Sequence, residues 1–584
     1  MNVLGINSGN GAAICLLEHG KILLAIEEER LTRKKNGGGF PTAALQYAYE
    51  NYPKFFKSLQ HIAFCDLEDA AITGDELQQR YHRRFAKRPQ PSLRSYAQSI
   101  VNKVRKSVPE TVKRLVRPAH KRFNSLEALS SALPGLDVSN VKISRLNHHE
   151  CHAAAAYFGL AKDPSKPYLV FTLDGGGDRE CASISIGKNG KLSRIATTES
   201  GATIPGVYSL ITYFMGFKPH EHEYKIMGLS PYTPSHYGDA VVEKLKKYVE
   251  IDPENPLIFK RLTEEKAGNV GWLIEEDFRL TRFDNLAVGL QRYTEELILQ
   301  WIDGAIKRTG ISDILLSGGV FMNIKMNKCI SELESVNSVN TFPSCGDETN
   351  IFGAAFSVEA QSTAFNTGYL DRFCLGPNPE FDLEEAKQKH SGQFDFLELS
   401  DPANTIATLL SEGHVVARCD GPMEFGARAL GNRSLLADPT TPRVVERINH
   451  LIKQRDFWMP FAPAVLLEDS AKYLYIPATL PDEISPYMMF GFDTKPEVRG
   501  DMAAALHRSD QSARAQIVDK QRNSGFHEVI SRFKAITGRS VVLNTSFNLH
   551  GSPIVMGTMD AIHVMMNSDL EYTVVGKTLI SRRT

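Results

Sequence analysis

Residues 1–30 read MNVLGINSGNGAAICLLEHGKILLAIEEER, and residues 168–197 read YLVFTLDGGGDRECASISIGKNGKLSRIAT. In the first stretch, 3–7 is a short extended run, 8–11 a glycine loop, 12–17 an apolar run, 18–20 a turn and 21–26 a third strand. The second stretch repeats the plan: strand 168–173, glycine loop 174–178, strand 181–186, the turn Lys188-Asn189-Gly190 and a returning strand 191–197. Asn-Gly between two β-rich runs is a strong hairpin signal. Two copies of one supersecondary plan predict a duplicated α/β domain.

Strand-loop-strand openings of this kind resemble the actin-like/sugar-kinase (ASKHA) fold, in which nucleotide sits between two halves. A further strand, 313–317, runs into Gly318-Gly319 and then Asn323 in a helix-like segment. Glycines let backbone approach a ligand closely, and N–H groups at a helix start suit anionic or polar ligand groups. Residues 361–378 turn polar and Gly/Pro-punctuated, which puts a domain boundary near 370. The expected units are 1–368 and 369–584.

The strongest local signal is Asn147-His148-His149-Glu150-Cys151-His152, followed by good helical material. On a helix His148 and His152 share a face, as a bidentate metal site requires. Asp174 and Asp347 each sit in a glycine-flanked loop that can bring a carboxylate to the same cleft. Two histidines and two aspartates suit Fe(II), Mn or Zn better than Mg, which prefers oxygen ligands. Lys225, in an apolar stretch bounded by Gly228, is placed to meet a phosphate as a point charge. His220 and His222 read as polar loop residues.

The last third holds FGARALGNRS (425–434), IKQR (452–455), SARAQ (512–516) and NTSFN (544–548). Cations set among apolar residues and glycines are costly unless anions neutralise them, and guanidinium forks match phosphate and carboxylate oxygens. A polyphosphate site is the economical reading.

A formal net charge of −1 excludes a protein basic throughout and a uniformly acidic disordered chain. No apolar run approaches a membrane span, and the N-terminus has no basic region or apolar core of a secretory signal. The eight cysteines form no C-x-x-C pair, which fits a reducing cytoplasm. One segment stands apart: residues 82–122 carry thirteen Lys/Arg against Glu110 alone, a local charge of +12. It reads as a basic insertion near 82–125 of one or two amphipathic helices. Its functional readings are contact with an anionic substrate, a nucleic acid or a membrane surface.

Ten motifs, in order from end to end, closely resemble the NodU/CmcH carbamoyltransferase family, which includes the tobramycin and cephamycin O-carbamoyltransferases. They are EEERLTRKK (27–35), HHECHAAAAYF (148–158), LDGGGD (173–178), YSLITYFMGF (208–217), EYKIMGLSPY (223–232), SGGVFMN (317–323), DETNIFGAA (347–355), FGARALGNRS (425–434), MPFAPA (459–464) and LNTSFN (543–548). Only 36–145 is poorly matched. The resemblance implies an ASKHA domain followed by a YrdC-like domain. The YrdC-like domain would turn carbamoyl phosphate and ATP, with Mg, into carbamoyl-adenylate, releasing phosphate and pyrophosphate. The ASKHA domain would pass the carbamoyl group to an acceptor hydroxyl of a natural product, such as an antibiotic.

By the same resemblance His148, His152, Asp174 and Asp347 are iron ligands, and Asp174, Lys225, Gly318, Gly319 and Asn323 hold the adenylate. Arg428, Arg433, Lys453, Arg455, Arg514, Ser546 and Asn548 line the carbamoyl phosphate/ATP site. The expected partners are a small-molecule acceptor and a second copy of the chain, with no nucleic acid. The competing readings are an ASKHA phosphotransferase, which leaves the HHECH motif and the Arg-rich third unexplained, and carbamoyl-type modification of a nucleic acid, which the near-neutral total charge disfavours.

Two departures stand out. The family pattern G-x-x-x-x-His-Asp-Ala-Ser reads here Gly5-Ile6-Asn7-Ser8-Gly9-Asn10-Gly11-Ala12-Ala13. Asn10 stands where the resemblance implies a general-base histidine, and an amide cannot take a proton at neutral pH. An engineered substitution, a natural variant with another base, or a chain that has lost transfer would each produce it. Met459 stands where many relatives carry Arg.

Overall fold

The computed structural model describes residues 1–67, 74–85, 124–361, 368–453, 455–481 and 485–583. The first sheet contains β1 (Asn2–Asn7), β2 (Ala13–Glu18), β3 (Lys21–Glu27), β4 (His61–Phe64) and β5 (Lys142–Arg145), ordered β3-β2-β1-β4-β5. Strands β1 to β3 are antiparallel; β4 and β5 join in parallel. The second sheet contains β6 (Tyr168–Gly177), β7 (Glu180–Lys188) and β8 (Lys191–Glu199). A separate two-stranded ribbon, β9 (Val249–Asp252) and β10 (Asn255–Arg261), precedes its last two strands, β11 (Asp313–Ser317) and β12 (Ser338–Thr341). Its order, β8-β7-β6-β11-β12, and its strand directions repeat those of the first sheet. This arrangement is ASKHA-like.

The hairpin at Asn189-Gly190 forms as the sequence requires, with both residues at positive φ, 51° and 70°. The loop expected at 174–178 is tighter than its glycines suggest. Strand β6 continues through Gly177, which pairs with Glu180 across a bulge, and only Asp178 and Arg179, at φ 47° and 71°, form the turn.

Two helices lie between the sheets. His148–Leu160 follows β5 in the chain yet packs on β6, β7 and β11; Asn350–Ala360 follows β12 yet packs on β1, β2 and β4. Each sheet is therefore covered on its inner face by the helix that follows the other. The two helices cross at Gly353, where a Cβ would stand 1.7 Å from the Cys151 carbonyl oxygen, so only glycine permits the approach. Outside, Leu45 and Leu129 of helices Thr42–Asn51 and Ser125–Ala132 cover Leu4, Ile6 and Leu16 of the first sheet. Helix Phe283–Thr309 covers the second, with Trp301 edge-on to Phe171 at 5.0 Å.

Beyond residue 390 the chain builds an eight-stranded mixed sheet. Its strands are β13 (Phe394–Glu398), β14 (Val416–Cys419), β15 (Arg433–Ala437), β16 (Ala462–Leu466), β19 (Gln516–Val518), β20 (Val541–Ser546), β21 (Tyr572–Val575) and β22 (Thr578–Arg582). A small ribbon, β17 (Leu474–Tyr475) with β18 (Asp493–Thr494), stands apart. Helices Pro402–Ser411 and Ser524–Thr537 cover one face through Ile406, Leu410, Phe526 and Phe533. The two regions share apolar packing: Phe425, Tyr473, Met489 and Phe490 belong to the same core as Phe342 and Phe352.

They also share a polar latch. Buried Arg30 pairs with Glu27 at 2.7 Å and donates to the Gly426 carbonyl at 2.7 Å, while Gly426 N–H donates back to Glu27 at 3.3 Å. Arg33 donates to the carbonyls of Pro553 and Ile554. Most of the basic insertion, 86–123, lies outside the described residues, as does the helix expected after Ser107. No helix among the described residues is long and apolar enough to cross a membrane.

Candidate functional site

Asn147 caps the His148–Leu160 helix, its side-chain oxygen accepting from Glu150 N–H at 3.0 Å. That start sets His148 and His152 one turn apart on one face. Asp174 comes from β6 and Asp347 from the turn ahead of the crossing helix. One ligand atom from each of the four lies within 4.8 Å of all the others. His148 Nε2 is 3.5 Å from Asp347 Oδ1, and His152 Nε2 is 3.7 Å from Asp174 Oδ2 and from Asp347 Oδ1.

Gly177 makes room: a Cβ there would stand 2.2 Å from His148 Cγ. His148 Nδ1 meets Asp66 Oδ1 at 3.0 Å, and His152 Nδ1 meets Ser317 Oγ at 3.3 Å, so outer contacts leave both Nε2 atoms facing the aspartates. His148 Nε2 is buried with no hydrogen-bond partner, as a metal-binding nitrogen would be. Burial opposes charge on His148, but Asp347, Asp66 and Asp174 together push its pKa up to about 10. The cluster can coordinate a metal ion. His149 points away, its Nδ1 2.8 Å from Thr172 Oγ1.

These residues open on one large cavity of about 1290 Å³ that reaches into the third sheet. Its walls include Asn10, His148, Asp174, Lys225, Gly319, Asn323 and Asp347 from the first two sheets' region, and Arg428, Lys453, Arg455, Arg514, Ser546 and Asn548 from the C-terminal region. Gly319 N–H donates to Asp174 Oδ2 at 2.8 Å, tying the second glycine loop to a cluster carboxylate. Gly318, at φ 104°, lies behind it: a Cβ would be 2.4 Å from the Leu173 carbonyl oxygen. Asn323 caps the next helix by accepting from Met326 N–H and also donates to Gln291 Oε1 at 2.8 Å. Lys225 is held by Asp456 at 2.9 Å, so it is not the unpaired point charge its sequence context suggests.

In the C-terminal region Lys453 is buried, donating to Ser546 Oγ at 3.1 Å and to Asn548 Oδ1 at 2.6 Å. Burial, then Arg455 and Lys35, hold its pKa well below the usual lysine range. Burial also lowers Arg428, Arg455 and Arg514; Arg428 adds repulsion at Arg455, and Arg428 and Arg455 add it at Arg514, whereas Tyr224 and Glu348 oppose the shift at Arg428. Among the described residues none of these four cations has a carboxylate within ion-pair distance, and Arg428 Nε is buried without a partner. A dry wall of this kind asks for an anion.

Arg433 is placed elsewhere. Fully buried, it does not line the cavity but donates to the carbonyls of Asp420, Gly421 and Met556. Beside it Glu424 accepts from the N–H groups of Leu430, Asn432 and Arg433, which shapes the loop carrying Arg428.

Sequence reasoning missed Asp66 and Asn350, and it read His220 only as a polar loop residue. Asn350 Nδ2 lies 3.3 Å from His152 Nε2 and 3.5 Å from His148 Nδ1. Its place in DETN beside Asp347 was the available signal. Asp66 follows β4 in the poorly matched region and had none. His220 sits at φ 63°, a strained conformation for a non-glycine residue, with its ring over Gly175.

Comparison with known proteins agrees with this geometry. Residues 2–356 match the family described as Carbamoyltransferase N-terminus, and 407–582 match Carbamoyltransferase C-terminus. A Methanocaldococcus jannaschii protein of uncharacterized function is 30% identical over 592 residues, covering 99% of each chain. Nodulation protein NolNO of Sinorhizobium fredii is 28% identical over 98% of this chain and 79% of its own. Among solved structures, T. kodakarensis HypF is 12% identical over 62% of this chain and 48% of its own, with a TM-score of 0.33. A ROK family glucokinase from Streptomyces griseus is 11% identical over 61% and 98%, with a TM-score of 0.26. Those structural likenesses are slight, and the fold assignment rests on the strand orders. With both regions matched in sequence order, and with a metal-capable cluster and an anion-seeking wall facing one cavity, the chain belongs to the carbamoyltransferase family and is a transferase.

Proposed function

We propose that the protein is an ATP-dependent O-carbamoyltransferase that moves the carbamoyl group of carbamoyl phosphate to a hydroxyl of a small natural product through carbamoyl-adenylate. In this reading residues 1–368 form a duplicated ASKHA domain for transfer, and 369–584 a YrdC-like domain that forms the adenylate. The observation that carries it is one cavity lined both by the His–Asp cluster and by a set of buried cations. Arg428, Lys453, Arg455 and Arg514, which among the described residues have no carboxylate within ion-pair distance, are suited to the phosphates of carbamoyl phosphate and ATP. Ser546 and Asn548 orient the Lys453 ammonium. Carbamate is a poor electrophile, and adenylation gives it a good leaving group. Enclosure by the surrounding walls keeps that intermediate from water.

In the cluster His148, His152, Asp174 and Asp347 would hold Fe(II), with Mn or Zn as alternatives by donor chemistry. A bound ion there supplies Lewis acidity toward a carbonyl or phosphoryl oxygen. The backbone N–H of Gly319 and the side chain of Asn323 flank the place for the adenylate, and Asn10 faces the same space. Asn10 can hydrogen-bond the acceptor hydroxyl but cannot remove its proton.

Two variants test the division of labour. Arg428→Ala should slow pyrophosphate release that depends on carbamoyl phosphate by about ten- to a hundredfold, through loss of a charge-assisted contact of about 1.5–3 kcal/mol. His148→Ala should lose bound metal and acceptor carbamoylation while retaining pyrophosphate release. A folded His148→Ala protein that no longer releases pyrophosphate would make this division wrong.

A further inference from the structure

The cavity has a third wall that neither the cluster nor the set of buried cations uses. Helix Gly74–Phe85 lies against helix Gly271–Phe278, where a Cβ on Gly271 would meet Phe85 Cδ2 at 2.6 Å and the Arg84 carbonyl at 2.8 Å. This contact turns Arg80, Tyr81 and Arg84 toward the cavity. Tyr81 is buried, and its hydroxyl lies 3.0 Å from His220 Nε2. The His220 ring in turn lies over Gly175, 3.8 Å from where a Cβ would stand, next to the cluster ligand Asp174. A row therefore runs outward from the cluster: Gly175, His220, Tyr81, and the Arg84 guanidinium 4.6 Å from the Tyr81 ring centroid. Lys266 lines the same space.

The charges along this row are unbalanced. Among the described residues the carboxylates beside it, Asp66, Asp178 and Glu223, are already engaged. Asp66 meets His148 Nδ1, Asp178 accepts from His148 N–H at 2.8 Å and Leu67 N–H at 3.2 Å, and Glu223 accepts from Ser209 Oγ and His220 N–H. Among the described residues no carboxylate lies within ion-pair distance of Arg80, Arg84 or Lys266, although all three face the cavity. The Arg84 guanidinium is half-buried and fixed by stacking on Tyr81, so its donors are already oriented.

We infer that this wall is the acceptor site and that it selects an anionic acceptor: a hydroxylated small molecule bearing a carboxylate or phosphate, bound with its anion on Arg84 and Arg80 and its reacting hydroxyl toward the His148 cluster. The inference rests on the transferase reading above and adds the charge class of the acceptor. His220 and Tyr81 supply the polar and aromatic floor between the two ends of such a molecule. Cationic acceptors are disfavoured at the same wall by Arg84 and Lys266.

The test uses the full chain loaded with metal and a panel on one scaffold: glucose, glucuronate, glucose 6-phosphate and glucosamine. Binding is measured by saturation-transfer NMR and carbamoylation by mass spectrometry. The expected result is binding of glucuronate, glucose 6-phosphate or both about tenfold or more tighter than glucose, with glucosamine weakest. The two anionic probes separate carboxylate from phosphate selection. In Arg84→Glu the anion-to-neutral ratio should fall to about one or invert, and Arg84→Lys should keep most of it. Retained carbamoyl-phosphate-dependent pyrophosphate release in each variant separates this change of ratio from a general loss of fold. Exposed Arg80→Glu gives a second, milder version of the same reversal.

Anionic probes that bind no better than glucose, or a preference unchanged in Arg84→Glu, would overturn the inference. Pyrophosphate release by the wild-type chain, dependent on carbamoyl phosphate, is followed in parallel. Its absence would count against the parent reading, whereas its presence without anion preference counts against the acceptor site alone.

Discussion

At the scale of single residues, Asn10 is the position where chemistry and sequence part. It is exposed at the cavity wall, its backbone carbonyl fixed by Asn7 Nδ2 at 2.8 Å. General-base catalysis contributes about 10²–10⁴-fold. Asn10→His should therefore raise single-turnover transfer by about two orders of magnitude and leave pyrophosphate release as it was; a rapid-quench assay of both products decides it. An unchanged rate would move attention to Asp178, which lines the cavity, rather than to His149, which is sealed against Thr172. The four cluster residues were legible because histidines at i and i+4 and glycine-flanked aspartates carry their geometry in their spacing. Arg433 looked equivalent to Arg428 in the sequence, since both sit in one glycine-rich run. Only the folded loop shows that one faces the cavity and the other lies outside it, its Nε and Nη1 donating to backbone carbonyls.

At the scale of elements, alternation and turn chemistry located β1 to β3 and β6 to β8 to within a few residues. The sequence could not reveal that the helices following β5 and β12 exchange sheets. Periodicity reports which face of a helix is apolar and not which partner covers it. Nor could it reveal that EEERLTRKK holds the two regions together, because Arg30 and Arg33 find their partners some 400 and 520 residues away. The helix crossing carries its own prediction. Gly353→Ala places a methyl group inside the van der Waals radius of the Cys151 carbonyl, so the helices must separate. The expected loss is about 1–3 kcal/mol or more, read as a lower urea midpoint. Because the crossing lies directly behind the cluster, metal affinity should fall in the same variant. A midpoint equal to wild type would mean that the crossing has slack.

At the scale of the whole molecule, buried cations without a carboxylate partner among the described residues cost the fold stability. Lys453 is folded with its pKa depressed, so between that value and the ordinary lysine range the unfolded chain binds the extra proton and the folded chain does not. Stability should accordingly rise with pH through that window and fall as pH drops. Lys453→Met should flatten the profile, and saturating carbamoyl phosphate should flatten it too by stabilising the charged form. Thermal melts across pH check all three, and a Lys453→Met profile parallel to wild type would remove Lys453 as the cause. The helix exchange has a further consequence for motion. Two histidines ride on one of the crossing helices and Asp347 leads into the other, so any hinge between the sheets must turn about Gly353 and change the His–Asp separations first. The ion would then act as a clasp: closing the halves completes its ligand set, loading it draws the halves shut, and by reciprocity any ligand that closes them raises the affinity for metal.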